Sequence, residues 1–465
     1  MSRVEHHEAE GLDTGHLRRV QIVALALVSY TPAVALATVP FLLVVGAGHG
    51  SWLGALIGAV GIGCVGVAVV TFARRFVVTG TLYSYIDHVF GPWARVVMGS
   101  SLLLGYVALI AGVSMTSGIF AGSFLVAAGF ESGLNAGPMA VTTTVAMVVA
   151  AALAYRGLDT SVRTAVILTV LTLPITVVVT VAVAAHTGLA LPAQLRLDGS
   201  TFGGIVNGVA AAAVFLVAFE SSAALAAETR DPKRNVPLAV MSVPVVLGGC
   251  YLLATLLQVP GLMAASDALA AGMSPPAALA VQAGLGQGLA MMTDAALAVA
   301  NVASLIAFVN YGSRFVATLA TDELVPRRLA GVHPRHLSPA AAIVVLSVVA
   351  QLVLLVLLAV WPDHLVTGVL PSISTLTVYL WLIPYVLICI GAIVLAARER
   401  ALTPTLAVSA PAGAAAMVWV YVNALVNPPP APVSWMAVIF AVTVALVVLA
   451  LGVRERTARA TVETE

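Results

Sequence analysis

Apolar residues run through this chain in long unbroken stretches, not in alternation with polar ones. The stretches lie near residues 20–46, 52–72, 91–129, 138–155, 160–187, 202–226, 236–260, 286–320, 338–361, 365–396, 404–426 and 432–453. A helix needs about 20 apolar residues to cross the hydrocarbon of a bilayer. The pattern therefore predicts an all-α polytopic membrane protein with 12 transmembrane helices. A membrane β-barrel would need strict alternation, which is absent. The third and eighth stretches are too long for one perpendicular crossing, so they are expected to tilt or to project beyond the membrane.

Composition sharpens this reading. Of 465 residues, 61% are hydrophobic and 9% charged, against about 25% charged in a soluble protein. With a mean hydropathy of +1.06, neither a soluble domain nor a disordered chain fits. A net charge of +1 provides no basic field for nucleic acid. The expected partners are the lipid bilayer and a small-molecule substrate.

The 21 Lys and Arg test the span count. Arg3, Arg18 and Arg19 precede the first stretch. Arg74, Arg75 and Arg95 lie between the second and third, and Arg156 and Arg163 between the fourth and fifth. Arg230, Lys233 and Arg234 follow the sixth stretch. Arg314, Arg327, Arg328 and Arg335 surround the end of the eighth. Arg398 and Arg400 follow the tenth, and Arg454, Arg456 and Arg459 the twelfth. Twelve crossings put all of these on one side and leave Arg196 on the other. The positive-inside rule then assigns both termini to the cytoplasm, in a multi-pass protein of the plasma membrane. The first apolar run begins near Val20, after a polar leader, and is too long for a signal peptide. The expected organisation is a tail (1–19), five helices (20–187), five more (202–396), a final pair (404–453) and a tail (454–465).

Candidate chemistry is sparse. Cys64, Cys250 and Cys389 each fall inside an apolar run and read as small buried hydrophobes. The nine histidines, His6, His7, His16, His49, His88, His186, His333, His336 and His364, lie outside the spans or at their edges. No HExxH, GxSxG or phosphate-binding GxxxxGK[ST] occurs, so an enzyme is not expected. Two carboxylates are committed to membrane depth: Glu220 within the sixth stretch and Asp294 in the outer part of the eighth. Each costs roughly 2.5–3.5 kcal/mol on insertion scales, so a retained one is expected to face a polar cavity or a helix break. Gly54 and Gly58 form a GxxxG expected to pack helices closely.

Breaks are expected in two places. The first stretch contains Ser29-Tyr30-Thr31-Pro32-Ala33-Val34-Ala35, where Pro32 removes a backbone donor and crowds the preceding turn. The sixth contains Phe215-Leu216-Val217-Ala218-Phe219-Glu220-Ser221-Ser222. It has no proline, and only the carboxylate and adjacent hydroxyls hint that freed amides are satisfied there. These stretches are five apart, as are the two overlong ones. An odd number of spans per half gives the halves opposite topology, the layout of inverted-repeat transporters with a mid-membrane site.

Further along, Phe219-Glu220-Ser221-Ser222 and Ala227-Glu228-Thr229-Arg230-Asp231-Pro232-Lys233-Arg234-Asn235-Val236-Pro237 resemble the signature of the amino acid–polyamine–organocation (APC) permeases. Arg74-Arg75-Phe76, Gly80-Thr81-Leu82-Tyr83-Ser84-Tyr85 and Gly91-Pro92 are similar to that superfamily's loop into the third span. Ser313-Arg314 through Asp322-Glu323-Leu324-Val325-Pro326 is similar to its exit from the eighth. The resemblance implies a LeuT-like fold, a 5+5 inverted repeat plus two C-terminal helices. It also implies import or exchange of an amino acid or amine by alternating access. Two positions depart from common patterns in relatives. Thr31-Pro32-Ala33-Val34-Ala35 stands where many have a Gly-Ser-Gly type break, and about Thr172 stands where some proton-coupled ones have a lysine. No cofactor is expected, and the coupling ion, proton or sodium, stays open.

A broken helix exposes N–H groups on one half and C=O groups on the other, which together match a zwitterion. The amides after Thr31 are expected to hold a carboxylate, and the carbonyls around Phe215 and Ala218 an ammonium. Ala33, Val34 and Ala35 would line the site, Phe219 gate it, and Tyr106 donate to the substrate carboxylate. Asn301 and Ser304 share a helix face at i, i+3 and would complete the site or hold an ion. Glu220 would titrate during transport or hold the broken helix, and Asp294 would face outer water. A polycation would need more than these two carboxylates, which favours a small zwitterionic amino acid. The alternatives are a polyamine or amine permease and a transporter-like sensor that binds without translocating.

Overall fold

A computed structural model describes residue 15 and residues 17–464, apart from Thr79, Ala271, Asp363 and His364, with the side chains of 158–162 and 457–464 left out. Arg3, His6, His7, His16 and His364, the first fourteen residues of the leader and the side chain of Arg459 lie outside the described residues. Among the described residues the chain is helical throughout, with one isolated parallel bridge, Leu17 to Thr229. Helix is the form that satisfies every backbone N–H and C=O within an apolar segment, and lipid supplies no substitute partner.

Among the described residues, eleven helical stretches are long and apolar enough to cross a membrane. Arg19–Ala73 covers 55 residues, about 82 Å if straight, far beyond the roughly 30 Å of hydrocarbon. It is divided at Ser29–Thr31 and again by the tight turn Gly48–Gly50. Pro92–Ala127 and Gly286–Thr321 are both 36 residues long, about 54 Å each, so the overlong third and eighth stretches are real. They are also the central pillars. In its most apolar window Pro92–Ala127 is 72% buried, against 28% for Ala136–Tyr155 and for Val433–Arg456 at the periphery.

The connections sort into two groups. On one face Leu17 pairs with Thr229, Arg75 with Glu399, and Arg95 with Asp322 and Glu455. Ser338 donates to the Tyr155 carbonyl, Arg398 to that of Val89 and Arg454 to that of Glu323 on this same face. On the opposite face the Gly50 amide donates to Ser200, Trp52 to the Gln194 carbonyl, Asn207 to the Asn427 carbonyl and the Ser274 amide to Ser123. Trp361 packs on Trp435 there. The arginine-bearing loops thus gather at one end of the bundle, as the charge pattern implies.

Some elements were not visible as apolar runs. The short helix Leu82–Phe90 precedes the third stretch, and Leu191–Arg196, Ser266–Ala270 and Pro275–Gln282 occupy connections expected to be loops. Cys64 is half-buried and Cys389 buried, but Cys250 is exposed on the outside of the bundle, a correction to the reading of all three as buried. An apolar run says that a residue avoids water, not that protein covers it.

Close backbone approach sets the register of the two broken stretches. A Cβ on Gly46 would lie 2.7 Å from the Gly204 carbonyl oxygen and 3.2 Å from the Gly208 amide nitrogen, closer than packed atoms allow. Gly54 similarly admits the Leu43 side chain: a Cβ there would lie 2.8 Å from Leu43 Cδ2. Gly46→Val should therefore push the outer halves of the two stretches apart. We expect a lower yield of monodisperse protein and a fall in the melting temperature in detergent. A variant that purifies and melts like the wild type would contradict the contact.

Candidate functional site

Both expected interruptions are present. In the first, Thr31 adopts φ +40° and the helix restarts at Pro32, a residue suited to a helix start because it has no N–H to leave unpaired. In the second, helix Phe202–Ala212 ends in a tight turn at Ala213–Phe215, Ala218 turns left-handed at φ +63°, and a tighter 3-10 coil runs from Phe219 to Leu225. A non-glycine residue in the left-handed region costs roughly 1–2 kcal/mol. Side chains from elsewhere hold both turns in place.

Hydroxyls bind the first break to the Gly286–Thr321 helix. Thr31 Oγ1 donates to Ser304 Oγ at 3.0 Å with the Ala300 carbonyl at 3.4 Å, and Ser304 Oγ donates to the Ser29 carbonyl. Ser29 Oγ lies 2.8 Å from Tyr311 Oη. The second break is clasped from three sides. Tyr30 Oη donates to the Val217 carbonyl at 2.7 Å, so the first break caps the second directly. Tyr251 Oη reaches the Phe215 carbonyl at 3.4 Å. Glu220, fully buried, accepts from Trp381 Nε1 and Tyr385 Oη, both at 2.8 Å, and Tyr385 Oη in turn accepts from the Ala218 amide at 2.8 Å.

A cavity of about 30 Å³ lies between the breaks. It is walled by Tyr30, Val214 and Phe215, by Leu109, Gly112, Val113 and Thr116 of Pro92–Ala127, by Asn301, Ser304 and Phe308 of Gly286–Thr321, and by Ser374. Such a volume admits about one water and no amino acid, so the walls are drawn in. Asn301 Nδ2 donates to the Val113 carbonyl at 2.6 Å across it. A separate cavity of about 1090 Å³, lined by Phe41, Asn207, Met263, Thr375 and Pro428 among others, lies on the face away from the basic loops.

The basic face is shut. Arg314 and Glu228 form an ion pair with Nε–Oε1 2.9 Å and Nη2–Oε2 3.4 Å, each side chain 3% exposed. The Glu228 carbonyl accepts from the Leu17 amide and the Arg230 amide donates back to Leu17. Nearby, Tyr83 Oη donates to Asp322 at 2.5 Å, with Arg95 also at that carboxylate. Burial raises the Asp322 carboxyl above its ordinary range despite that hydrogen bond and the Arg95 charge, and burial raises the Tyr83 phenol as well.

Of the residues singled out by sequence, Phe215, Asn301 and Ser304 line the cavity and Thr31 lies at its edge through Ser304. Ala33 and Val34 pack in an apolar layer with Phe120, Leu297 and Ala300, and Ala35 sits in the main core. The Val34 and Ala35 amides already donate to the Thr31 carbonyl, at 2.8 and 3.1 Å. Ala218, Phe219, Glu220 and Tyr106 form the support next to the cavity: Tyr106 Oη pairs with Ser221 Oγ at 2.8 Å, and the Phe219 ring packs on Tyr385. Thr172 returns its hydroxyl to the Leu168 carbonyl of its own helix at 2.8 Å. Sequence reading passed over Tyr30, Thr116, Phe308, Ser374, Trp381 and Tyr385. Trp381 and Tyr385 carry a weak signal, two polar-tipped aromatics at i, i+4 on one face of an apolar helix.

The description of the amino acid permease family matches residues 20–453. The chain is similar to an uncharacterised transporter of Mycobacterium tuberculosis, 29% identical over 316 residues. The match spans 66% of this chain and 66% of that relative, just short of two thirds of its length. It is also similar to the branched-chain amino acid permease BcaP of Bacillus subtilis, 26% identical over 58% of this chain and 60% of the relative. The BcaP of Lactococcus lactis is 25% identical over 65% and 68%. The fold is shared with a solved Na+-coupled sialic acid symporter in a substrate-bound outward-open state, at a TM-score of 0.55, 14% identity, 88% of this chain and 90% of that one.

The clasp on the second break makes a stability prediction. Glu220→Ala leaves the Trp381 N–H and Tyr385 O–H buried without their acceptor, at about 1–3 kcal/mol each. Glu220→Gln keeps one oxygen and is expected to lose less. Thermal melts in detergent should rank wild type above Gln above Ala. Equal melting of all three would remove the carboxylate from this role.

Proposed function

The chain belongs to the amino acid permease family, and from that premise we propose that it is a secondary active transporter carrying a small neutral amino acid across the plasma membrane by alternating access. The observation that carries this reading is the cavity enclosed by two helix breaks, with no Lys or Arg among its walls. Backbone dipoles and hydroxyls are the polar groups on offer there, and a zwitterion suits them better than a net charge. Leu109, Val113, Val214 and Phe308 give the same walls an apolar character, which favours an aliphatic side chain. The two relatives named as branched-chain permeases support that choice.

In this reading the chain makes twelve crossings, with residues 20–187 and 202–396 as inverted five-helix repeats and 404–453 as a final pair. The loop grouping supports that count, and the arginine-bearing face is cytoplasmic by the positive-inside rule. The structure then corresponds to a conformer with its cytoplasmic side shut and the inner cavity closed from the outer side by the layer of Phe120, Leu297, Ala33 and Val34. Loading the site requires Tyr30, Phe215 and Phe308 to move outward. Release requires the Arg314–Glu228 pair, the Ser29–Tyr311 bond and the Leu17 pairing to part.

Coupling is assigned to the junction of the first break with the Gly286–Thr321 helix. The Ser29 and Ala300 carbonyls and the Thr31 and Ser304 hydroxyls converge there, an oxygen-only set suited to a sodium ion or to a proton-carrying water. Thr172 supplies no positive charge that would replace such an ion. Among the described residues the depth of the bundle holds few carboxylates, which disfavours a polyamine.

Proteoliposomes containing the full chain are expected to concentrate labelled leucine or alanine when an inward sodium or proton gradient is imposed. Binding without flux would indicate a sensor instead, and flux of putrescine alone an amine carrier. Ser304→Ala should raise the ion concentration for half-maximal uptake about tenfold, equivalent to about 1.4 kcal/mol. An unchanged ion dependence would move coupling away from this junction.

A further inference from the structure

The helices Pro92–Ala127 and Gly286–Thr321 lie side by side, and two cavities occupy the seam between them. The inner one, between the breaks, includes Thr116 and Asn301. The outer one, about 670 Å³, includes Ser123 and Asp294. On each helix the paired positions are seven residues apart, two turns and about 10.5 Å along the same face. The cavities are therefore stacked. Phe120 and Leu297 separate them, in one apolar layer with Ala33, Val34 and Ala37.

Asp294 stands at the inner end of the outer cavity and is 1% exposed, a correction to the expectation that it faces outer water, because Ser274 and its neighbours cover it. The Ser274 hydroxyl donates to its Oδ1 and the Ser123 hydroxyl also lies against the carboxyl, while Oδ2 is buried with no hydrogen bond of good geometry. Ser274 is itself fixed: it caps helix Pro275–Gln282 through the Ala277 amide at 3.3 Å, and its own amide donates to Ser123 Oγ at 3.3 Å. Among the described residues no Lys, Arg or His lines this cavity; Glu131 adds a second carboxylate, and Asn135 and Gln287 add amides. A carboxylate buried without a cation is unfavourable. Asp294 lines a space large enough for an amino acid, whereas the inner cavity is not.

We propose that this outer cavity is a binding site for a primary ammonium group, held by Asp294, where the incoming amino acid pauses before the Phe120–Leu297 layer opens to the inner cavity. The ammonium donates to Oδ2 and the side-chain amides of Asn135 and Gln287 face the carboxylate end. The role as a waiting site rests on the transport reading; the affinity for an ammonium group does not.

The probe is methylammonium, which carries the ammonium and nothing else. Calorimetric titration of the purified full chain in nanodiscs should show it binding, with at least tenfold weaker binding to Asp294→Asn. Leucine should compete with it in the wild type. Equal methylammonium binding by both proteins overturns the site. Loss in Asp294→Asn with no leucine competition and no leucine uptake upholds the ammonium site while failing the transport reading. A second measurement, independent of whether Asp294→Asn folds, uses Ser123→Cys. Its modification by a thiol reagent, followed by peptide mass spectrometry, should slow several-fold when methylammonium is added, and an unchanged rate overturns the proposal.

Discussion

Everything in this bundle depends on one constraint: a backbone amide or carbonyl freed at membrane depth must find a partner, because lipid offers none. The two breaks free several such groups. Tyr30, on the first break, caps the Val217 carbonyl of the second. Tyr385 takes the Ala218 amide and passes its own proton toward Glu220, which Trp381 also holds. Ser304 ties the first break to the Gly286–Thr321 helix. The interruptions are thus a single interlocked unit, and the space between them is lined by groups whose hydrogen bonds a solute can exchange.

That unit explains how a nearly charge-free interior acquires a polar centre. Apart from Glu220, its acidic and basic side chains sit at the margins. Arg314 and Glu228 close the basic face, and Asp294 stands two helical turns out from Asn301 on the same helix. A solute moving inward would meet a carboxylate, then an apolar layer, then a cradle of backbone and hydroxyl groups. Closure of the basic face follows from which of these bonds are made, since each is local and can be exchanged without unfolding a helix.

Much of the fold was legible in the sequence because lipid makes the rule simple: long apolar runs become helices, and arginines gather on one face. Pro32 announced the first break. Ala218 announced nothing, since no glycine or proline marks it, and its left-handed turn is held by Tyr385 far along the chain. Trp381 and Tyr385 carry only a weak signal for the same reason: their meaning depends on Glu220 facing them across the bundle. The helix Pro275–Gln282 had a readable start in Ser274-Pro275, but it is too short to show a period. Thr172 was chosen by counting along a helix, and its hydroxyl turns back to its own backbone.

The central claim is that an amino acid is gripped between two interrupted helices. Electron cryomicroscopy of the full chain in nanodiscs saturated with leucine tests it most directly. The account predicts ligand density between Ser29–Thr31 and Leu216–Ala218, with Tyr30 and Phe215 displaced from their present positions. Continuous helices through both segments, or leucine bound only on the lipid-facing surface, would contradict it.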